Sequence, residues 1–189
     1  MIGWGDESGS DAARDPGTYL MSVVLADPCH TETIQEAMLG LRYGKTPKLH
    51  WREELPRRRR KIAETVAALP VAGLVVVRCD PQASDRPERR RRNCLEHLLP
   101  MLADMDTERL ALESRGPADD GKDRQMLQHL RRGKRLSRTL RIDHIPGPQD
   151  PALWAADALC GAVVSHRVGD DVTYLEVIES SIPVETVTI

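Results

Sequence analysis

Phenylalanine is absent from the chain, and three tryptophans with three tyrosines supply all of its aromatic surface. Single-strand binders that stack bases need a platform of aromatic faces, and so sparse a set argues against that mode. Cysteine is scarce too. Cys29, Cys79, Cys94 and Cys160 are widely spaced with no Cys-x-x-Cys pair, which argues against a zinc site of the usual spacing and leaves reduced, mostly packed thiols as the expectation. No stretch approaches the roughly 18 apolar residues of a membrane span. Residues 1–9 lack the basic and apolar regions of a secretion signal. A cytoplasmic chain with no membrane partner is expected. Gly-x-Ser-x-Gly is missing, so Ser8 has no nucleophile elbow around it. Repeats and long linkers are missing as well, and 189 residues suit a single domain over 1–189 with one substantial core.

Charge is present in quantity but unevenly. A formal net charge of −2 conceals two dense cationic runs, Arg57-Arg58-Arg59-Arg60-Lys61 and Arg89-Arg90-Arg91-Arg92. A third cluster comprises Arg131, Arg132, Lys134, Arg135, Arg138 and Arg141. Such runs can neutralise phosphates along a nucleic acid. Their plainer reading is solvated helix starts and loops, and the near-neutral total argues against a purely electrostatic DNA coater.

Periodicity orders the elements. Residues 1–5 read as a short strand with Ile2, Trp4 and then Asp6 on one face. Residues 19–26 form a buried strand. Thr33 and Glu36 have capping-box spacing for a helix reaching about residue 43. Residues 48–51 are a strand or an extended segment. A basic helix opens at Pro56, with Ile62, Val66 and Leu69 on one face. Residues 71–79 are a strand, 89–105 a helix, 109–113 a strand, 123–132 a helix, 140–145 a strand, 151–166 a helix and 172–178 a final strand. Flexible stretches are expected at 9–17, 81–88 and 114–122. This order predicts an α/β domain with a mixed sheet covered by helices.

The informative residues are acids in apolar company. Asp6 and Glu7 follow the first strand, Glu113 closes Leu110-Ala111-Leu112, and Asp157 interrupts the apolar helix at 153–164. Helical spacing puts Leu153, Asp157, Cys160, Gly161 and Val164 on one face. A carboxylate in such a stripe is costly unless a cation or hydrogen-bond donors meet it. Several carboxylates at strand ends and on a helix face suit a divalent-metal site, where hard Mg²⁺ or Mn²⁺ prefers oxygen ligands. Each has another reading: Asp6 as a turn cap with Ser8 and Gly9, Glu113 paired with Arg115, Asp157 in a buried salt bridge. His50 beside Trp51 is more often a packed, hydrogen-bonded histidine than a catalyst.

Taken in order, Asp6-Glu7-Ser8-Gly9, Lys48-Leu49-His50-Trp51, a strand ending in Glu113 and Ala156-Asp157-Ala158-Leu159-Cys160-Gly161-Ala162 resemble domain-of-unknown-function family 3800. That family is assigned by similarity to the ribonuclease H-like superfamily. The late helix is also similar to that of RuvC-type Holliday-junction resolvases. The resemblance covers roughly residues 3–166 and implies a ribonuclease H-like fold, a mixed β-sheet flanked by α-helices. It further implies metal-dependent phosphodiester hydrolysis, with Asp6, Glu113 and Asp157 as metal ligands for Mg²⁺ or Mn²⁺. His50 would be a proton carrier or substrate contact, Lys48 a phosphate contact, and Glu7 a neighbour of the site. Trp154 stands where the resolvases carry a further acid. Asp80 competes with Glu113 as the strand-end ligand, and Asp143 and Asp123 are weaker candidates for a fourth. The partner would be nucleic acid, DNA or RNA, and a homodimer is left open. The alternatives are a catalytically inactive nucleic-acid-binding module of the same fold and a protein-interaction subunit.

Overall fold

The computed structural model describes residues 1–44, 46–80, 85–136 and 139–189. Arg138 of the third basic cluster and residues 81–84 of the expected 81–88 loop lie outside these. Among the described residues six strands form one mixed sheet: β1 (Ile2–Gly9), β2 (Thr18–Ala26), β3 (Ala72–Cys79), β4 (Arg109–Glu113), β5 (Arg141–Ile145) and β6 (Val184–Thr188), in the order β5-β4-β1-β2-β3-β6. The helices are α1 (Thr31–Leu39), α2 (Pro56–Ala67), α3 (Pro87–Asp104), α4 (Pro117–Arg132), α5 (Leu153–Arg167) and α6 (Thr173–Glu179).

The first three strands are antiparallel neighbours, whereas β4 runs parallel to β1 and β5 parallel to β4. The carboxyl-terminal parts of β1 and β4 therefore lie side by side, and Asp6 in β1 and Glu113 at the end of β4 come to the same part of the sheet. Residues 10–17 turn the chain between β1 and β2. Asp11 fixes this turn by accepting the N–H groups of Ala13 and Arg14 through Oδ1 at 2.8 and 3.1 Å, as an Asx-turn does.

Both faces of the sheet are covered, so β2 and β3 read as continuous apolar runs. Strand alternation divides them. Ile2, Trp4, Leu20, Val24, Val75 and Val77 pack with α2, α5 and α6 on one face, while Met21, Val23, Leu74, Val76, Leu110 and Leu112 pack with α3 and α4 on the other. Helix α5 is nearly apolar all round because it lies between the sheet and other helices. Ser22 Oγ on β2 donates to the Ala156 carbonyl of α5 at 2.8 Å, tying the helix to the sheet. Among the described residues no helix is long and apolar enough to cross a membrane.

Several expectations need correction. Residues 172–178 are not a strand: Tyr174, Leu175 and Ile178 bury at helical spacing in α6, and the last strand is β6, which extends the sheet beside β3. β-branched composition suggested extension there, but the period of the buried positions is that of a helix. The Thr33–Glu36 capping box is not formed, because α1 begins at Thr31 after a 3₁₀ turn over Pro28–His30 and ends at Leu39. Helix α4 begins at Pro117, absorbing much of the stretch expected to be flexible; proline at its first position and Gly116 at φ 99° set the entry. Residues 48–50 lie outside helix and strand, with His50 extended, and lead into a 3₁₀ turn over Trp51–Glu53 instead of a strand. β1 runs past residue 5 to Gly9, which places Asp6 and Glu7 within the strand. All four thiols are free, with Cys94 and Cys160 buried but Cys29 and Cys79 exposed.

Candidate functional site

Asp6 shares the face of Ile2 and Trp4 and is paired in register with Ser22, the residue bonded to α5. It is thereby directed at the helix that carries Asp157. Glu113 ends β4 two residues after Ala111, which packs on that same face. These three acids, far apart in sequence, line one open cavity of about 950 Å³ together with Lys48, His50 and Arg59.

The segment 48–51 fastens two of the acids. Lys48 Nζ donates to both Glu113 oxygens, at 2.6 and 2.9 Å. The Trp51 backbone N–H donates to Asp157 Oδ2 at 2.8 Å, and His50 Nδ1 stands 3.4 Å from the same oxygen. Trp51 is itself wedged in place. Its ring lies on Gly161 of α5, where an added Cβ would come within 2.1 Å of it. It meets Tyr174 edge-on at 5.2 Å, and the Arg59 guanidinium stands 5.7 Å from its centroid. Arg59 Nε also donates to the Trp51 carbonyl at 3.1 Å.

The electrostatics at Asp6 are those of a buried acid among acids. Burial first, then the negative charges of Asp157, Glu7 and Glu113, push the Asp6 carboxyl well above its ordinary value. The adjacent Asp157 carboxylate raises His50 against a smaller opposing effect of burial. Burial pushes the Cys160 thiol up as well, which suits a packed thiol and not a metal ligand.

Asp6, Glu113 and Asp157 offer hard oxygen donors, and Asp6 is destabilised by its like-charged neighbours, so the donor chemistry fits a hard divalent cation. The arrangement is not a ready cage. Among the described residues no three His, Cys, Asp or Glu side chains stand together closely enough to hold a metal ion. Lys48 supplies the positive charge at Glu113 in its place.

The other candidates lie elsewhere or face away. Glu7 borders the cavity, but its carboxylate is directed to the opposite face, where it pairs with Arg91 and, at 3.7 Å, with Arg115. Asp80 lies against Arg78 Nη2 at 3.4 Å, off the cavity wall. Asp143 pairs with Arg109 at 2.6 Å. The buried Trp154 donates its indole N–H to the Gly147 carbonyl at 2.9 Å, so no acid stands there.

Asp123 belongs to a buried network that the sequence reading missed. Arg91, 1 % exposed, donates to both Asp123 oxygens at 3.1 and 2.8 Å, and His144 Nε2 is 3.0 Å from Asp123 Oδ2. Burial works against the charge on both partners. The bonds from His144 and Arg91 nonetheless hold Asp123 well below the usual carboxylate range, and those to Asp123 and Glu7 hold Arg91 above its ordinary value. The signal was available: Asp123 shares a helical stripe with Met126, Leu127 and Leu130, and Arg91 with Leu95 and Leu98, the same anomaly that marked Asp157.

The cationic runs are dispersed by the fold. Arg58 and Arg60 pair with Glu54 and Glu64, Arg135 pairs with Glu96, and Arg91 is buried. Arg59 reaches the cavity, joined there by Arg14, Arg52 and Arg115 from outside the runs.

The chain is similar in structure to ribonuclease H2 from Pyrococcus horikoshii OT3, with a TM-score of 0.62 at 12% identity, covering 96% of this chain and 80% of that one. It is also similar to RNase HII from Archaeoglobus fulgidus, solved in complex with PCNA, with a TM-score of 0.58 at 13% identity, covering 89% and 74% of the two chains. No protein-family model and no curated protein matches the sequence. At such identities the likeness defines the fold: a ribonuclease H-like mixed sheet flanked by helices.

Proposed function

We propose that this chain is a divalent-metal-dependent nuclease that hydrolyses phosphodiester bonds in a nucleic acid, DNA or RNA. The observation that carries the reading is the convergence of Asp6, Glu113 and Asp157 on one open, arginine-bordered cavity. The fold of the ribonuclease H2 and HII structures supports it, as does the resemblance of the ordered motifs to domain-of-unknown-function family 3800. Asp6, Glu113 and Asp157 would hold Mg²⁺ or Mn²⁺. Bound there, the ions would supply the charge stabilisation that an in-line displacement at phosphorus requires.

The chain's own groups do the rest. Asp6 sits deepest and fixes the acidic centre on the rigid strand β1. The Trp51 N–H orients Asp157, which lines the cavity, by holding its Oδ2. His50, half-exposed beside Asp157, is placed to carry a proton to or from the reacting phosphate. Arg59, Arg52 and Arg14 at the rim hold flanking phosphates, which position a strand without reading its sequence.

A second reading, a catalytically inactive nucleic-acid-binding module, is favoured by the Lys48–Glu113 pair and by a buried indole at residue 154. One experiment separates them. Labelled single- and double-stranded DNA, RNA, an RNA–DNA hybrid and a four-way junction are incubated in Mn²⁺ and in EDTA with wild type and Asp6→Asn. Cutting that needs both Mn²⁺ and Asp6 supports the nuclease. Salt-sensitive retention without cutting supports the binding module.

A further inference from the structure

We infer that Lys48 is the resident counter-ion of the acidic cluster, and that a divalent cation can load at Glu113 only by displacing the Lys48 ammonium. The inference rests on the metal-site reading of the cavity.

The ammonium engages both carboxylate oxygens of Glu113, at 2.6 and 2.9 Å. It therefore uses the same acceptor atoms that a hard cation would need. Two cations cannot share them cheaply, since charges a few ångströms apart in a partly buried cleft repel strongly. Lys48 and Glu113 are only 25 % and 31 % exposed, so water screens the contest little.

The geometry also decides which partner moves. The Gly147 backbone packs against Glu113 so closely that an added Cβ there would stand 2.6 Å from Oε1. Glu113 is thus backed by main chain at the end of a strand. Lys48 projects on a flexible four-carbon stem from a segment outside helix and strand. That segment keeps a second anchor after Lys48 lets go, the Trp51 N–H on Asp157. Release of the ammonium therefore leaves the cavity wall in place.

The test is isothermal titration of Mn²⁺ into the EDTA-stripped, dialysed full chain as wild type, Lys48→Gln, Glu113→Gln, the Lys48→Gln/Glu113→Gln double variant, Asp6→Asn and Asp157→Asn. Melting in EDTA verifies that each is folded. Removing the competing charge in Lys48→Gln should tighten Mn²⁺ binding by roughly tenfold, and the gain should disappear when Glu113 is also Gln. Unchanged or weaker binding by Lys48→Gln, with wild-type binding that still needs Asp6 and Asp157, overturns this proposal alone. A gain that persists without Glu113 overturns it as well, because the effect is then general charge and not displacement. Absence of Mn²⁺ binding in every folded variant overturns the metal-site reading and this inference together.

Discussion

Asp6 and Glu7 are adjacent in β1, yet their carboxylates leave on opposite faces of the sheet, Asp6 toward Asp157 on α5 and Glu7 toward Arg91 on α3. The two-residue period of a strand requires this separation. Glu7 is neutralised by a buried guanidinium. Asp6 is left among acids, and that contrast marks it as the electrostatic centre of the site.

Asp6→Asn should therefore stabilise the metal-free protein. The folded-state pKa of Asp6 lies above its unfolded value near 3.8, so the folded form binds the proton more tightly. Below the unfolded value the group is protonated in both states and costs nothing. As pH rises from there through the raised folded value, wild type loses stability that the asparagine variant keeps. Each pH unit of elevation is worth about 1.4 kcal/mol. Urea unfolding in EDTA at pH 8 and at pH 4 should show a gap at pH 8 that closes at pH 4. Equal stabilities at pH 8 would exclude a strained Asp6.

His50 should titrate above the ordinary histidine value of 6.5, because Asp157 favours its charged form. Its contribution to stability is fully present below 6.5 and is lost as pH rises through the folded value. NMR titration of the imidazole should find a raised midpoint that returns toward 6.5 in Asp157→Asn. A midpoint indifferent to residue 157 would break the assignment.

Arg91→Ala should cost about 3–5 kcal/mol, since it leaves Asp123 and Glu7 with buried charge and less compensation. Replacing Arg91 and Asp123 together by Met and Leu should cost less than Arg91→Ala alone. Asp123, held below its ordinary value, contributes stability that is present above pH 3.8 and lost as pH falls through its folded value. Denaturant melts of the single and double variants, repeated down to acid pH, measure both effects.

Gly161→Ala should destabilise by about 1–3 kcal/mol through overpacking, because the new methyl group would meet Trp51. Trp51 must then shift, and its N–H leaves Asp157. Mn²⁺ affinity should fall along with the melting temperature. A loss of stability with unchanged affinity would show that the Trp51–Asp157 bond does not order the site.

Much of this was legible in the sequence. The strand 109–113 and the run of apolar residues leading into Glu113 coincide with β4, and α2, α3, β2 and β3 follow their apolar periods to within a residue or two. Asp6, Glu113 and Asp157 do line one cavity, because strand parity and helix period assign faces without knowledge of the fold. What escaped depended on partners distant in sequence. The α6–β6 exchange turned on whether residues 172–178 pack as a helix on α2 and α5. Glu7 was grouped with the site because adjacency is visible in sequence, whereas its partner Arg91, on a distant helix, is not. The Lys48–Glu113 pair likewise joins residues 65 positions apart.

Trp51 touches α5 through Gly161, α6 through Tyr174, α2 through Arg59 and an acid of the site through its own backbone. Trp4 and Trp154 are sealed in the interior, at 0 % and 2 % exposure. The molecule consequently carries a built-in optical gauge. A change at Asp157 alters the surroundings of the Trp51 indole, so intrinsic fluorescence can follow occupancy of the cavity without any label.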